Sequence, residues 1–211
     1  MPAQERELRA QGKKTMRKLL DAGMQVFDKR GYHAARVDDI VKVAKTSHGT
    51  FYLYFANKED LFRALAIDVS AEMSRLADDL GPVGPDEDGY VVLREWLGRF
   101  TDLYFHHGPV IRAWTEAELV ENDLGKLGAE VLAAFASRLG DRIAEANDAV
   151  HPQIAALAFI SMIERFNYLV LSRQITFSAE EMLDTLAAVT HAGVFAGRRS
   201  NRRGASRLRR A

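Results

Sequence analysis

The chain contains no cysteine, so disulfides, thiolate metal sites and cysteine nucleophiles are excluded from the start. No segment approaches the run of ~18 apolar residues that a membrane-spanning helix requires. The opening residues, MPAQERELRAQGKK, lack the apolar stretch of a signal peptide, so the expected location is cytoplasmic. Charge of one sign is lacking too, with 29 Lys and Arg against 29 Asp and Glu. That balance conceals a segregation. Residues 1–65 carry a net charge of +5, residues 66–197 carry −12, and residues 198–211 hold seven arginines and no acid. A basic front, an acidic body and a basic tail suit a protein whose ends meet a polyanion; the bland alternative is a solvated tail.

What remains is ordinary soluble material. The 211 residues are enough to bury a core, and 47% are hydrophobic against 27% charged. Apolar residues recur at helical spacing almost throughout, as in Met16, Leu19, Leu20, Met24 and Phe27, with Gly31 as a natural stop. Val37, Ile40, Val41 and Ala44 predict a short second helix, and Leu61, Leu65, Val69, Met73, Leu76 and Leu80 a long one over 58–80. GPVGPDEDG at 81–89 reads as a linker. Further helices are expected at 87–107, 109–121, 124–147, 152–173 and 179–197. Gly108-Pro109 separates the first two, Pro152 sits at a helix start, and Ser178 with Glu181 forms a capping box. No segment alternates as a strand does. The expected fold is all-α.

One stretch resists this bland reading. In KTSHGTFYLYFANKEDLF, residues 45–62, four aromatics fall between Phe51 and Phe55 amid small polar and basic residues. A core helix has no need of Ser47, His48 and Thr50, and an exposed loop has no need of Phe51 and Phe55. Two short helices, 37–44 and 47–53, joined by a tight turn behind a longer helix, match the helix-turn-helix plan. In that plan the second helix enters the DNA major groove. Ser47, His48 and Thr50 then serve as short groups for bases or phosphates, and Gly49 allows close backbone approach. Phe51 and Phe55 hold the helix to a small core, while Tyr52 and Tyr54 offer phenols to phosphates. Asn57 caps the next helix, whose Lys58 faces the same phosphates, and Arg36 and Val37 open the preceding helix beside them. Taken alone, TFYLYF is more often core packing than a DNA contact.

These residues resemble the TetR family of transcriptional regulators. The likeness runs through Ala44, Ser47, Gly49, Thr50, Phe51, Tyr52, Phe55, Lys58, Glu59 and Leu61. Upstream it continues through Ala22, Phe27, Gly31, Tyr32, Val37 and Ile40, and it covers roughly residues 15–65. Lys45 departs from it, standing where the family usually has the turn glycine; if that position needs positive φ, the lysine carries a strain of ~1–2 kcal/mol. Thr46 completes the turn, and both residues are expected at the DNA.

The resemblance implies five segments: a flexible polar N-terminus over 1–12, a DNA-binding domain over 13–57, a connecting helix over 58–80, a ligand-binding and dimerisation domain over 81–197, and a basic, disordered tail over 198–211. It implies a repressor that binds a palindromic operator as a homodimer, through helices near 152–173 and 179–197. The nearly all-apolar 152–173 helix and the small residues Ala187, Ala188, Ala192 and Gly193 agree with such an interface. Trp96, Phe100, Tyr104, Trp114, Phe135, Phe159, Met162, Phe166 and Asn167 are candidate walls of a pocket for an apolar or amphipathic effector, such as a fatty acyl, lipid or aromatic compound. Aromatics at helical spacing are also simply core. Two other readings stay open: a helical protein-interaction module without DNA binding, or an enzyme. For the enzyme, His106, His107 and Glu116 are close in sequence, but adjacent histidines point ~100° apart on a helix. No metal or other cofactor is implied.

Overall fold

A computed structural model describes residues 3–117, 123–173 and 177–196. Among them every regular element is helical. In chain order these are α1 (Ala3–Ala34), α2 (Val37–Val43), α3 (His48–Tyr52), α4 (Lys58–Asp78), α5 (Glu87–Ala117), α6 (Asp123–Ala146), α7 (Pro152–Arg173) and α8 (Ala179–Thr190). A π-helical turn, His191–Phe195, ends the described chain. No described helix is long and apolar enough to cross a membrane. The chain divides into two compact units, the first Met1–Glu72 with His106–Glu130, the second Met73–Phe105 with Val131–Ala211.

Two expectations need correction. Residues 3–12 are helical rather than a flexible lead-in, so α1 starts well before Lys13. The segment AQERELRAQG is rich in strong helix formers without an apolar stripe, so propensity rather than periodicity carries it. Gly108-Pro109 does not divide two helices either: α5 runs through it as one element with Pro109 buried inside. A proline lacks one N–H and so removes one rung of the ladder, which a long, packed helix survives. The predicted 109–121 helix passes beyond Ala117 into residues outside the described set, as does the basic tail.

In the first unit the core is built on α1. Leu19, Val26 and Phe27 are buried with Ile40 and Val41 of α2, Phe51 of α3, and Leu61 and Phe62 of α4. Gly23 permits the closest approach, because a Cβ there would stand 2.5 Å from Cδ2 of fully buried Leu61. Gly31, at φ 73°, breaks the helical backbone of α1. Tyr32 then turns onto Phe62, with ring centroids 4.7 Å apart, while Phe27 meets Phe62 edge-on at 5.6 Å.

The α2–α3 turn is a Schellman closure. Lys45 N–H donates to Lys42 O (3.2 Å) and Thr46 N–H to Val41 O (3.0 Å), which satisfies the last carbonyls of α2. Lys45 takes the left-handed position at φ 49°. The lysine in the glycine's usual place is therefore strained.

In the second unit α7 starts at Pro152, and α8 starts at the Ser178–Glu181 capping box. There Ser178 Oγ accepts from Glu181 N–H, and Glu181 Oε2 accepts from Ser178 N–H, both at 3.1 Å. The Ser178 hydroxyl also donates to Glu181 Oε2 at 2.8 Å, and that bond first, then the backbone one, holds the Glu181 carboxyl below its ordinary range. Arg94 of α5 joins Glu180 and Asp184 on α8, with its Nε 2.5 Å from Asp184 Oδ1. The linker is anchored by His191, whose Nε2–H donates to Gly84 O at 2.8 Å.

The two special backbone positions predict opposite outcomes. Lys45→Gly should raise stability by ~1 kcal/mol by relieving the left-handed strain. Gly23→Ala should lower it by ~1–3 kcal/mol by overpacking Leu61. Urea midpoints of the two variants should therefore move to either side of the wild type.

Candidate nucleic-acid interface

The second helix of the motif is only five residues long, and its start is fixed by Ser47. Ser47 Oγ accepts from Thr50 N–H at 3.1 Å and also lies 3.0 Å from Thr50 Oγ1. Both hydroxyls are thus already engaged in holding α3 together. Phe51 and Phe55 face the core, buried and with centroids 5.8 Å apart. On the other side His48, Gly49, Tyr52 and Leu53 are exposed, Tyr52 by 57%. The odd mixture of residues 45–62 is thereby resolved: alternate sides of one short helix serve core and solvent.

His48 is not isolated. Its Nε2 lies 2.5 Å from Asp38 Oδ1 at the start of α2, with both side chains more than half exposed. A carboxylate accepts, so Nε2 carries the proton, and in the neutral ring Nδ1 is left as an acceptor. Nothing in the sequence pattern pointed to Asp38 as the partner. Ten residues apart along the chain, the two meet only once the turn is closed.

Arg36 precedes α2 in extended conformation, and its backbone N–H donates to Asp39 Oδ2 at 3.3 Å. Val37 opens the helix, half-buried. Lys45 is exposed on the turn, while Thr46 and Tyr54 are half-buried. Asn57 caps α4 as expected, accepting from Asp60 N–H at 2.8 Å.

Lys58, expected at the phosphates, has partners within the protein. Its ammonium donates to Tyr32 O at 2.9 Å and sits 4.6 Å from the Tyr32 ring centroid. It thereby ties α4 to the end of α1. Opened by Gly31, that chain end offers carbonyls that the ammonium satisfies. Tyr32 in turn donates to Glu59, and burial with that carboxylate pushes its phenol up to about 12.

The sequence pattern also missed a groove of about 380 Å³ lined by Gln11, Lys14, Thr15, Lys18, Leu19, Ala44, Thr46 and Thr50. It joins α1 to the turn and α3, and its α1 residues precede or barely enter the recognised motif. Periodicity treats Lys14 and Lys18 as solvated positions, so only the packed structure singles them out.

The candidate effector residues other than Trp114, which belongs to the first unit, are placed in the second unit. Trp96, Phe100 and Tyr104 follow one another along α5 and meet Phe135 of α6 and Phe159 of α7, all buried. Trp96 stacks on Phe100, Phe135 and Phe159 at 5.9–6.1 Å, and its indole N–H donates to Leu76 O at 2.7 Å. The rings stack closely, because flat apolar faces bury most area against one another. Tyr104 O–H donates to Glu164 Oε1 at 2.9 Å, and Asn167 turns its amide to Ile163 O of its own helix at 2.8 Å. Met162 and Phe166 are half-buried. The Trp114 and Glu116 side chains lie outside the described residues. His107, expected at most as half of an enzyme pair, bonds Glu72 through Nε2 at 3.0 Å in the first unit.

A short recognition helix capped behind a Schellman turn defines a helix-turn-helix protein. Residues 19–65 match the family model for bacterial regulatory proteins, tetR family, so the chain carries an N-terminal domain of that family. It is 36% identical over 73 residues to the uncharacterised HTH-type transcriptional regulator YdgC of Bacillus subtilis, covering 35% of this chain and 37% of that one. It is also 36% identical over 63 residues to the fatty acid metabolism regulator protein of Bacillus subtilis, covering 29% of this chain and 32% of that protein. The matches thus span little more than a third of these relatives. Whole-chain likeness appears in solved structures. The regulator FadR of Bacillus subtilis in complex with stearoyl-CoA superposes with a TM-score of 0.63 at 19% identity, covering 85% of this chain and 97% of that one. The MbdR regulator of Azoarcus sp. CIB reaches 0.71 at 14% identity, covering 85% and 98%. At such identity the likeness is one of fold.

The Lys58–Tyr32–Glu59 cluster has a measurable titration. The phenol's folded value lies above its unfolded value near 10, so its contribution is complete below about pH 10 and fades as pH rises toward 12. In an alkaline absorbance titration Tyr32 should ionise above the ordinary phenol value near 10. Glu59→Gln should move it earlier.

Proposed function

We propose that the chain is a DNA-binding transcriptional repressor that acts as a homodimer and leaves its palindromic operator when a small apolar or amphipathic molecule enters the helical body. The carrying observation is the exposure of His48, Gly49 and Tyr52 on a short, firmly capped α3. Such a helix lies in the major groove with its first residues at base edges. With Nε2–H given to Asp38, neutral His48 presents an acceptor, which suits the amino group of cytosine or adenine. Lys45, Tyr52 and Tyr54 serve as phosphate contacts, as do the backbone groups around Arg36 and Val37. Ser47 and Thr50 act mainly by shaping α3, and Lys58 by fixing α1.

Dimerisation is supported by apolar side chains left exposed on α7 and α8, namely Ile154 (66%), Leu157 (48%) and Val189 (56%). Ala158, Ala188, Ala192 and Gly193 are exposed beside them in sequence and allow close packing. A two-fold dimer matches two half-sites about one helical turn apart.

For the effector, the solved neighbour holding stearoyl-CoA supports a long-chain acyl compound. The stacked rings around Trp96 must part to admit such a chain. Binding then selects a different packing of the body, which is the condition for changing affinity elsewhere.

The wild type should recover a palindromic duplex from a random pool, with two chains per duplex and a log–log salt slope of about −0.9 per phosphate contact. His48→Ala should blur the preference between that duplex and its single-base variants. Lys58→Ala should chiefly lower the melting temperature. No recovered duplex, or a flat salt response, sinks the reading. Separately, stearoyl-CoA should change tryptophan fluorescence and release the duplex, whereas free coenzyme A should not. Unchanged fluorescence and binding would rule out the acyl class.

A further inference from the structure

The groove between α1 and the α2–α3 turn has an unusual lining. Lys14 and Lys18 stand one turn apart on the same face of α1, with Gln11 and Thr15 completing that wall. Opposite are Thr46, Thr50 and the small Ala44, and Leu19 and Ala44 are buried beneath. The lining therefore holds two cations, three hydroxyls and one amide, and no carboxylate. Like charges at this spacing repel, by a few tenths of a kcal/mol in an isolated helix. Among the described residues no acid offsets them, although the neighbouring Arg17, outside the groove, pairs with Asp21 at 3.3 Å. Thr15 Oγ1 donates to Gln11 O at 3.0 Å and Thr50 Oγ1 is held by Ser47, which leaves the Thr46 hydroxyl to join the two ammonium groups, a set complementary to a tetrahedral anion.

Its position narrows the choice. Thr46 closes the Schellman turn and Thr50 receives the Ser47 cap, so the groove shares its wall with the segment that carries His48. We infer that the groove seats one backbone phosphate of the bound duplex, with Lys14 and Lys18 of α1 as its cationic clamp and Thr46 as a hydroxyl donor. This inference rests on the duplex-binding reading above and adds α1 to the DNA-contacting surface. The matched family segment begins only at residue 19. The clamp takes the phosphodiester whatever the base sequence, and so sets register rather than preference.

The test uses the full chain and the duplex recovered by the wild type, together with a scrambled duplex of equal length. Lys14→Gln/Lys18→Gln should weaken both duplexes by about tenfold and make the salt slope shallower by about 1.8, one phosphate contact being lost from each of the two chains. Discrimination between the two duplexes should stay unchanged. Arg17→Gln removes a charge from the same helix outside the groove and should leave the slope within error of wild type. Thr46→Val should weaken both duplexes without altering the melting temperature. Inorganic phosphate, at ionic strength matched with chloride, should not compete. The inference is overturned if the double variant keeps the wild-type slope, if Arg17→Gln reproduces its effect, or if millimolar inorganic phosphate displaces the duplex. Failure of the wild type to bind any duplex would instead defeat the parent reading.

Discussion

The first unit depends on how closely α1 can lie against the start of α4. Gly23 leaves room for the Leu61 side chain against α1, and Phe27, Phe62 and Tyr32 extend that contact as a run of packed rings. Each fully buried Leu or Phe side chain in this seam contributes about 1.5–3 kcal/mol, enough to hold a short motif that has little core of its own. The α2 and α3 helices, seven and five residues long, are far below the length at which a helix is stable alone. They persist because Ile40, Val41, Phe51 and Phe55 are buried in the unit that α1 and α4 build. Lys58 locks the far end of the same seam by taking up the Tyr32 carbonyl where Gly31 has broken the helix.

Much of this was legible in the sequence because it depends on local chemistry. Ser178 three residues before Glu181, Asn57 before Asp60, Pro152 and Gly31 each act through their own backbone neighbourhood, and each appears where the pattern puts it. At Lys45 the sequence leaves two possibilities, and the structure takes the one with positive φ. Illegible were the contacts between distant residues. His48 meets Asp38 across the turn, Lys58 reaches Tyr32 across 26 positions, and the groove joins α1 to the turn. Periodicity reports which side of a helix is apolar but not what a polar side faces. Pro109 misled for the opposite reason: a local rule about prolines lost to the packing of a 31-residue helix.

The second unit follows a different logic. Its aromatic interior is closed by rings that stack on rings, while polar anchors secure its outer elements. Arg94 grips Glu180 and Asp184, whose hydrogen bonds, Asp184's foremost, raise the guanidinium's affinity for its proton. His191 holds the linker at Gly84 from within a π-helical turn, a rare geometry that brings a nearly buried imidazole to a backbone carbonyl. The interior is thus mainly aromatic, and its boundary is pinned by directional bonds.

Lys45 illustrates a wider consequence. Glycine at the left-handed position would be unstrained and uncharged, whereas lysine is strained and carries a cation on the exposed turn. Such a charge adds equally to the attraction for every stretch of a polyanion. On the proposed reading, in which the protein seeks one address on a very long polymer, this would lengthen each sliding excursion. The same attraction also lets the bulk polymer hold back more of the protein. A single backbone dihedral thereby bears on how many copies a cell must keep for the address to stay occupied.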